Sequence, residues 1–259
     1  MRSFELDALA RIRQVAGAEA GPVGAWHADN LFSHQRRYRL DLELVRRWMP
    51  DGALLDVGCA PAHMTALLSL TGRDVVGVDL APERVAGFID RFGLDVRRCD
   101  IEREPLPFAD VSFSGALLCE TFEHLRVDPV FVLAEIQRVL APGARLLLTT
   151  PNVYSLPSLG RFLLGRSVAD PWAEFGKLRS LGHMGHVREY SMREVRRFLE
   201  ASGWTLEWSG TRYSGRIEGP RRRLLSTAFA VLPSWLGREL VLVARRGHQA
   251  PRLQPLVPR

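Results

Sequence analysis

Short hydrophobic runs alternate along the middle of the chain with longer segments in which apolar residues recur every three or four positions. Short runs predict buried β-strands, and the longer periodic segments predict helices. The predicted strands cover residues 53–57, 74–78, 94–98, 111–118, 144–149, 204–208 and 239–244. Because strands and helices alternate, we predict an α/β fold: a Rossmann-like, doubly wound, mostly parallel seven-stranded sheet with helices on both faces.

Other segments define the predicted domain organisation. We predict an N-terminal helical cap at residues 1–50, with helices at 3–16 and 33–48 and a Gly/Pro/Asn-rich loop at 21–30 between them. A main domain is predicted at 51–245. Ser191 and Glu194 have the spacing of a capping box at the start of a late helix. The remaining expectations are two substrate-side insertions without regular periodicity, at 153–187 (a lid) and 209–237, and a disordered Pro-rich tail at 246–259.

Composition narrows the class of protein. The chain has 259 residues, of which 46% are hydrophobic, enough for one large domain. The net charge is +6, but the arginines are dispersed and lack interleaved aromatic residues, so a nucleic-acid partner is not favoured. Unpaired cysteine spacing, the lack of a signal-type N-terminus and the lack of a long apolar run predict a cytoplasmic location. Residues 221–236, basic and then apolar, fit either a helix on the sheet or a peripheral membrane contact.

Two acidic residues close predicted strands and flank a turn of small residues. Asp56 ends the first strand, residues 58–62 form the turn, and Asp79 ends the second strand about twenty positions later. This order is typical of sites for adenosine-containing ligands, in which the second acid accepts hydrogen bonds from ribose hydroxyls. The dinucleotide fingerprint G-x-G-x-x-G is absent, because Ala60 and His63 occupy its later glycine positions.

The turn instead resembles motif I, D/E-x-G-x-G-x-G, of class I S-adenosylmethionine (SAM)-dependent methyltransferases. Asp56 and Gly58 match, whereas Ala60 and Ala62 stand where glycines are usual. Segments 99–101, 106–113, 140–148 and 186–191 also resemble the family in order and spacing. The resemblance implies SAM as cofactor, held by Tyr38, Asp56, Gly58, Ala60, Asp79, Leu80, Asp100, Ile101 and Cys119.

A second cluster of polar residues follows the fourth predicted strand. Glu120, Glu123 and His124 have the spacing i, i+3, i+4, which would place them on one helical face. Such ligands suit Mg²⁺ or Mn²⁺. The pattern resembles metal-dependent O-methyltransferases, namely small-RNA 3′-end 2′-O-methyltransferases and some ubiquinone-pathway enzymes. That resemblance implies His186 as a fourth ligand, with His183 as a stand-in.

We therefore expect a SAM-dependent O-methyltransferase with His124, Glu123 and His186 as catalytic residues. The acceptor that we favour is a sugar hydroxyl of a bacterial glycan, polysaccharide or glycoside, so the expected substrate is a small molecule or an oligosaccharide, methylated with help from a divalent metal. Metal-free relatives also carry Glu-His here, which leaves simple acid–base chemistry open. Alternative acceptors are a 3′-terminal RNA ribose, a quinone or catechol precursor, and a lipid. A non-catalytic binding protein is the remaining alternative, supported by Ala60 and Ala62.

Overall fold

Seven strands form one sheet in the order β3-β2-β1-β4-β5-β7-β6 in the computed structural model, which describes residues 2–18, 21–168, 170–181, 185–214 and 233–247. The strands are β1 Leu54–Val57, β2 Val75–Asp79, β3 Asp95–Arg98, β4 Phe113–Cys119, β5 Leu140–Pro151, β6 Trp204–Arg212 and β7 Glu239–Arg246. Strands β1 to β5 pair in parallel, and β7 runs antiparallel to both β5 and β6. The predicted fold class is confirmed.

Helices cover both faces of this sheet. They are α1 Arg2–Ala16, α2 Gly21–Trp48, α3 His63–Leu70, α4 Ala86–Phe92, α5 Pro129–Val139, α6 Leu156–Leu163, α7 Pro171–Leu181 and α8 Met192–Ala201. Alternate strand residues enter opposite cores: Leu118 packs in the core that includes α5 and α8, and Leu117 packs in the core that includes α1 to α4. Burial on both faces explains why the parallel strands are continuous apolar runs.

The predicted loop at 21–30 is wrong, because α2 begins at Gly21 and continues to Trp48. Glycine and proline fall in its first turn, where backbone N–H groups have no partner within the helix. Tertiary contacts then stabilise the following turns. The ring of His27 is buried and stacks on His63 with centroids 4.4 Å apart, and the side chain of Asn30 accepts a hydrogen bond from the Tyr38 hydroxyl.

The predicted insertions contain more regular structure than their sequences indicate. Helices α6 and α7 lie within 153–187, and the Ser155 side chain caps α6 by accepting a hydrogen bond from the Ser158 N–H. Strand β6 extends to Arg212 because it pairs with β7 as far as Glu239, so it enters the segment predicted as an insertion at 209–237. Residues 221–232 of the basic-apolar segment and residues 248–259 of the tail lie outside the described residues.

Among the helices in the described residues, none is both long enough and apolar enough to cross a bilayer.

The capping box predicted at the start of α8 is confirmed and generates a test of local stability. The Ser191 hydroxyl accepts from the Glu194 N–H, and the Glu194 carboxylate accepts from the Ser191 N–H at 2.8 Å. We expect Ser191→Ala to lower the free energy of unfolding by about 1 kcal/mol in urea titrations, because helix N–H groups lose their acceptor. Ser69→Ala, at an exposed position of α3, is the matched control and should change stability little. Equal effects of the two substitutions would contradict the capping role.

Candidate active site at the carboxyl edge of the sheet

A cavity of about 1220 Å³ opens at the carboxyl ends of the parallel strands. The residues predicted to bind cofactor or metal, or to act in catalysis, come together in its lining, apart from His183, which lies outside the described residues. They are Tyr38, Asp56, Gly58, Ala60, Asp79, Leu80, Asp100, Ile101, Cys119, Glu120, Glu123, His124 and His186. Residues distant in sequence therefore share one site, because parallel strands end at the same edge of a sheet.

The turn after β1 needs glycine at its first position. Gly58 has φ +70°, and a Cβ there would lie 2.4 Å from the Thr121 Cγ2. Ala62 adopts a left-handed backbone with φ 63° immediately before α3. The Ala60 N–H points across the turn and donates to the Asp79 Oδ2 at 3.1 Å. Alanine is therefore accommodated at both positions where the motif usually has glycine, at the cost of some backbone strain at Ala62.

The two acids of the turn have different environments. Asp79 accepts hydrogen bonds from the N–H groups of Ala60 and Ala81 and pairs with Arg84, whose Nη2 lies 3.3 Å from Oδ1. Asp56 is buried, and its Oδ2 accepts from the Thr65 hydroxyl at 2.7 Å. Burial raises the pKa of Asp56 to about 6 against the opposing hydrogen bond from Thr65. Asp56 thus joins β1 to α3 through Thr65, and both acids line the cavity.

The remaining predicted cofactor residues lie on either side of this pair. Asp100 follows β3, and its Oδ1 accepts from the Glu102 N–H at 3.2 Å, while Ile101 and the half-exposed Leu80 add apolar surface. On the opposite side Cys119 ends β4.

Tyr38 reaches the cavity from α2. Its hydroxyl lies 2.9 Å from the Asn30 Oδ1 and 3.3 Å from the His63 Nδ1. Burial raises the pKa of Tyr38 to about 12, so the phenol stays protonated.

A carboxylate and two imidazoles converge beyond the end of β4. Glu123, His124 and His186 each present a ligand atom, and these atoms lie within 4.8 Å of one another. Glu123 is fully buried, and its Oε2 accepts from the Thr150 hydroxyl at 2.9 Å. Its Oε1 lies 3.8 Å from the His186 Nε2 and 4.0 Å from the His124 Nε2, and has no hydrogen-bond partner among the described residues.

Outer contacts orient both histidines toward this oxygen. The His124 Nδ1 lies 3.0 Å from the carbonyl oxygen of Gly185, which can only accept, so Nδ1 carries a proton. The His186 Nδ1 lies 3.5 Å from the Glu189 carboxylate. Metal-binding histidines commonly direct one ring nitrogen to a carbonyl or carboxylate and the other to the ion. The orphaned carboxylate oxygen and two oriented imidazoles therefore fit a divalent cation.

The structure does not bring Glu120 into this group. Its backbone is left-handed, with φ 54°, and the helical turn begins only at Phe122, so the i, i+3, i+4 face is not formed. Its Oε2 instead lies 3.2 Å from the Arg37 Nη1, and its Oε1 accepts from the Thr149 hydroxyl at 3.1 Å.

Sequence reasoning missed a buried ionic cluster beside Glu120. The Arg212 guanidinium of β6 lies 2.7 Å from the Asp41 Oδ1 of α2 and 2.8 Å from the Glu239 Oε2 of β7. Burial raises the pKa of Asp41, although Arg212 and Arg37 oppose the shift. One feature of the sequence could have indicated this cluster: Glu239 is an acid at the start of an apolar run. The ion pairs themselves join segments that are distant in sequence, so they leave no local pattern.

Comparison with known proteins agrees with this geometry. Residues 55–148 match the family described as "Methyltransferase domain". The chain is 35% identical over 135 residues to a ubiquinone biosynthesis O-methyltransferase of Hahella chejuensis, covering 49% of this chain and 56% of that protein. It is 30% identical over 173 residues to a probable S-adenosylmethionine-dependent methyltransferase of Mycolicibacterium smegmatis, covering 66% and 59%. The aligned regions thus span little more than half of either relative.

Solved structures show the same fold. A SAM-dependent methyltransferase from Archaeoglobus fulgidus superposes with a TM-score of 0.55 at 18% identity, covering 83% of this chain and 98% of that one. A Burkholderia thailandensis 1,6-didemethyltoxoflavin-N1-methyltransferase with bound S-adenosylhomocysteine (SAH) gives 0.52 at 20% identity, covering 83% and 78%. These likenesses show that the chain has the fold of SAM-dependent methyltransferases. Residues 55–148 carry the match to the methyltransferase domain family.

The buried Glu123 predicts a pH dependence of stability. Burial first, and Glu120 second, raise the pKa of Glu123 from 4.5 to about 8, so the folded protein holds a proton that the unfolded chain releases. We expect the free energy of unfolding, measured with a chelator present, to fall as the pH rises from about 6.5 to about 8. Below about pH 6.5 the buried His34 and His63, whose pKa values burial lowers, oppose this fall. Glu123→Gln should reduce this fall.

Glu200→Gln, at an exposed position of α8, is the matched control for the pH experiment. A pH profile of stability that is the same in Glu123→Gln and in wild type would contradict the raised pKa.

Proposed function

We propose that the protein transfers a methyl group from SAM to a hydroxyl oxygen of a small acceptor. One observation carries the proposal: the cofactor-type acids Asp56 and Asp79 share a single cavity with the triad of Glu123, His124 and His186. The first pair suits a sulfonium nucleoside, and the triad suits removal of a hydroxyl proton next to the methyl group. The names of the relatives, several of which are O-methyltransferases, support oxygen as the acceptor atom.

The placement of SAM follows from the order of groups along the cavity. The adenine lies at Asp100 and Ile101, the ribose hydroxyls donate to Asp79, and the methionine part extends past Asp56 toward Cys119 and Tyr38. Asp79 suits this role because it is fixed by two backbone N–H groups and still lines the cavity. This arrangement directs the methyl group toward the end of β4, where the triad lies.

The chain's own residues can handle the proton. The acceptor hydroxyl donates its proton to the Glu123 carboxylate or to a triad imidazole nitrogen, its oxygen forms a bond to the methyl carbon, and the carbon–sulfur bond breaks toward sulfur. The products are a methyl ether and SAH. With a pKa of about 8, the Glu123 carboxylate is a stronger base than an ordinary glutamate, and the ionised fraction that can accept the proton increases as the pH rises toward 8.

Glu123, His124 and His186 would also hold Mg²⁺ or Mn²⁺. An imidazole-containing set shifts preference toward Mn²⁺. A bound divalent cation would lower the pKa of an acceptor hydroxyl through Lewis-acid polarisation.

We infer that the acceptor carries neighbouring hydroxyl groups, since two oxygens can bind together at such a site. A catechol-type precursor is the leading candidate, supported by relatives named as ubiquinone biosynthesis O-methyltransferases. A sugar diol of a glycan or glycoside is the second candidate. Charged and hydroxyl side chains in the lining, including Arg161, Glu189 and Ser158, favour it because they suit a hydrophilic acceptor.

Replacement of Asp79 tests the cofactor site. We expect Asp79→Asn to weaken SAH binding in calorimetry by at least about tenfold, because each hydrogen bond to a charged group contributes about 1.5–3 kcal/mol. Asp90→Asn, at an exposed position of α4, is the matched control and should bind as wild type does. Unchanged SAH affinity in Asp79→Asn would remove the basis of the assignment. Wild-type protein that fails to bind SAH would favour a non-catalytic role.

Chelation and acceptor choice together test the chemistry. Methyl transfer from labelled SAM is measured to a catechol and to a sugar diol, before and after treatment with EDTA. We expect turnover of the catechol, loss of at least about tenfold after EDTA, and recovery with added Mn²⁺. Turnover of the sugar diol alone would favour the second acceptor. Full activity in EDTA would contradict the metal site and leave Glu123 and the histidines as a metal-free base.

A further inference from the structure

Helix α7 contacts the triad from outside the cavity through one carboxylate. The Glu174 Oε2 accepts a hydrogen bond from the backbone N–H of His186 at 3.0 Å. The Glu174 side chain is 14% exposed, and the Lys177 Nζ lies 2.8 Å from its Oε1 and 2.9 Å from its Oε2. Among the described residues, Lys177 and His186 line the cavity and Glu174 does not. Glu174 therefore contacts the backbone of the triad without reaching the space for cofactor and acceptor.

The peptide group that Glu174 binds also serves His124. A trans peptide group is planar, and its N–H and C=O point to opposite sides. The carbonyl of Gly185 and the N–H of His186 belong to one such group. The N–H donates to Glu174, and the carbonyl oxygen lies 3.0 Å from the His124 Nδ1. Rotation of this plane would break both contacts together, so Glu174 fixes the acceptor that orients His124 and the backbone that carries His186.

Packing alone does not fix the two rings. The His124 side chain is 34% exposed and the His186 side chain is 32% exposed, so their orientation depends on polar contacts. The next residue, Val187, is held from the side of β4, because its N–H donates to the backbone carbonyl oxygen of Glu123 at 3.0 Å. The segment at residues 185–187 therefore lies between the turn after β4 and α7, and loss of the α7 contact would release one side of it.

The residue at position 185 leaves room for this carboxylate. Gly185 is buried, and a Cβ there would overlap with the Glu174 Oε2. Its φ lies outside the left-handed region, so glycine is needed here for the close approach and not for an unusual backbone conformation. Alanine at this position would therefore displace the Glu174 carboxylate from the peptide group.

We propose that Glu174 is a positioning residue for methyl transfer, a role that rests on the proposed function. Through the peptide group between Gly185 and His186 it directs the His124 and His186 rings toward Glu123. A metal-free base and a metal ion both need this ring orientation. The negative charge of Glu174 also polarises the peptide group, which strengthens the hydrogen bond from His124 to its carbonyl oxygen.

Side-chain nitrogen spectra of ¹⁵N-histidine-labelled protein test the positioning without an acceptor. With EDTA present and the ring neutral, wild-type His124 should be protonated at Nδ1 and not at Nε2. Glu174→Ala should shift the His124 signals toward the Nε2-protonated form, which free histidine favours, because the Gly185 carbonyl loses its fixed direction. Gly185→Ala should do the same. Glu174→Gln should keep the wild-type signals, because its amide oxygen can still accept from the His186 N–H.

Kinetics separate positioning from binding. Methyl transfer is measured to the catechol or the sugar diol, whichever the wild type uses. We expect Glu174→Ala to lower kcat by at least about tenfold while KM for SAM and SAH affinity in calorimetry stay within about twofold of wild type. Asp170→Ala is the matched control, because Asp170 directly precedes α7 and accepts from the Trp172 N–H at 3.1 Å. It should change neither kcat nor the His124 signals.

Unchanged His124 signals in Glu174→Ala would overturn the proposal. The same change of signals in Asp170→Ala would also overturn it, since a general loosening of α7 would then be the cause. Glu174→Gln that behaves like Glu174→Ala would exclude the retained acceptor as the cause, and shifted signals with unchanged kcat would remove the role in the reaction. Failure of the wild type to bind SAH or to transfer methyl, together with the expected spectra, would instead overturn the proposed function and leave the positioning of the rings intact.

Discussion

The carboxyl group of Glu123 lies in the protein interior with one oxygen bonded to Thr150 and the other facing two imidazole rings. An ionised carboxylate in such a place is costly unless a proton or a cation compensates its charge. Burial raises its pKa to about 8, and the histidines around it are oriented by their own outer contacts. The site therefore favours a positive charge beside Glu123, which either a proton or a metal ion would supply.

The rest of the fold places the proposed cofactor residues beside this carboxylate. Parallel strands end at one edge of the sheet, so Asp79, which we propose to bind the ribose, and the triad after β4 line the same cavity. Helix α2 closes the other side with Tyr38 and Arg37. The buried ionic cluster of Asp41, Arg212 and Glu239 ties α2 to the antiparallel strands β6 and β7. The position of α2 against β6 and β7 therefore determines where Tyr38 and Arg37 lie in the cavity.

The sheet was predictable because strands buried on both faces are continuous apolar runs, and an acid at the end of such a run has little structural reason to be there. The start of α2 was not predictable from the sequence, because its composition is typical of a loop and the stacking of His27 on His63 stabilises the helix instead. The position of Glu120 outside the triad was not predictable either. The spacing of Glu120, Glu123 and His124 places them on one face only if the chain is helical there, and the backbone at Glu120 is left-handed. Ion pairs such as Asp41 with Arg212 join distant segments, so no local pattern announces them.

The most direct test is a crystal structure with SAH and Mn²⁺, solved with anomalous data at the manganese edge. We expect ribose hydroxyls on Asp79, the sulfur of SAH directed toward the end of β4, and an anomalous peak bound by Glu123, His124 and His186. SAH bound without contact between its ribose and Asp79, or bound with its sulfur directed away from Glu123, would contradict this placement of the cofactor.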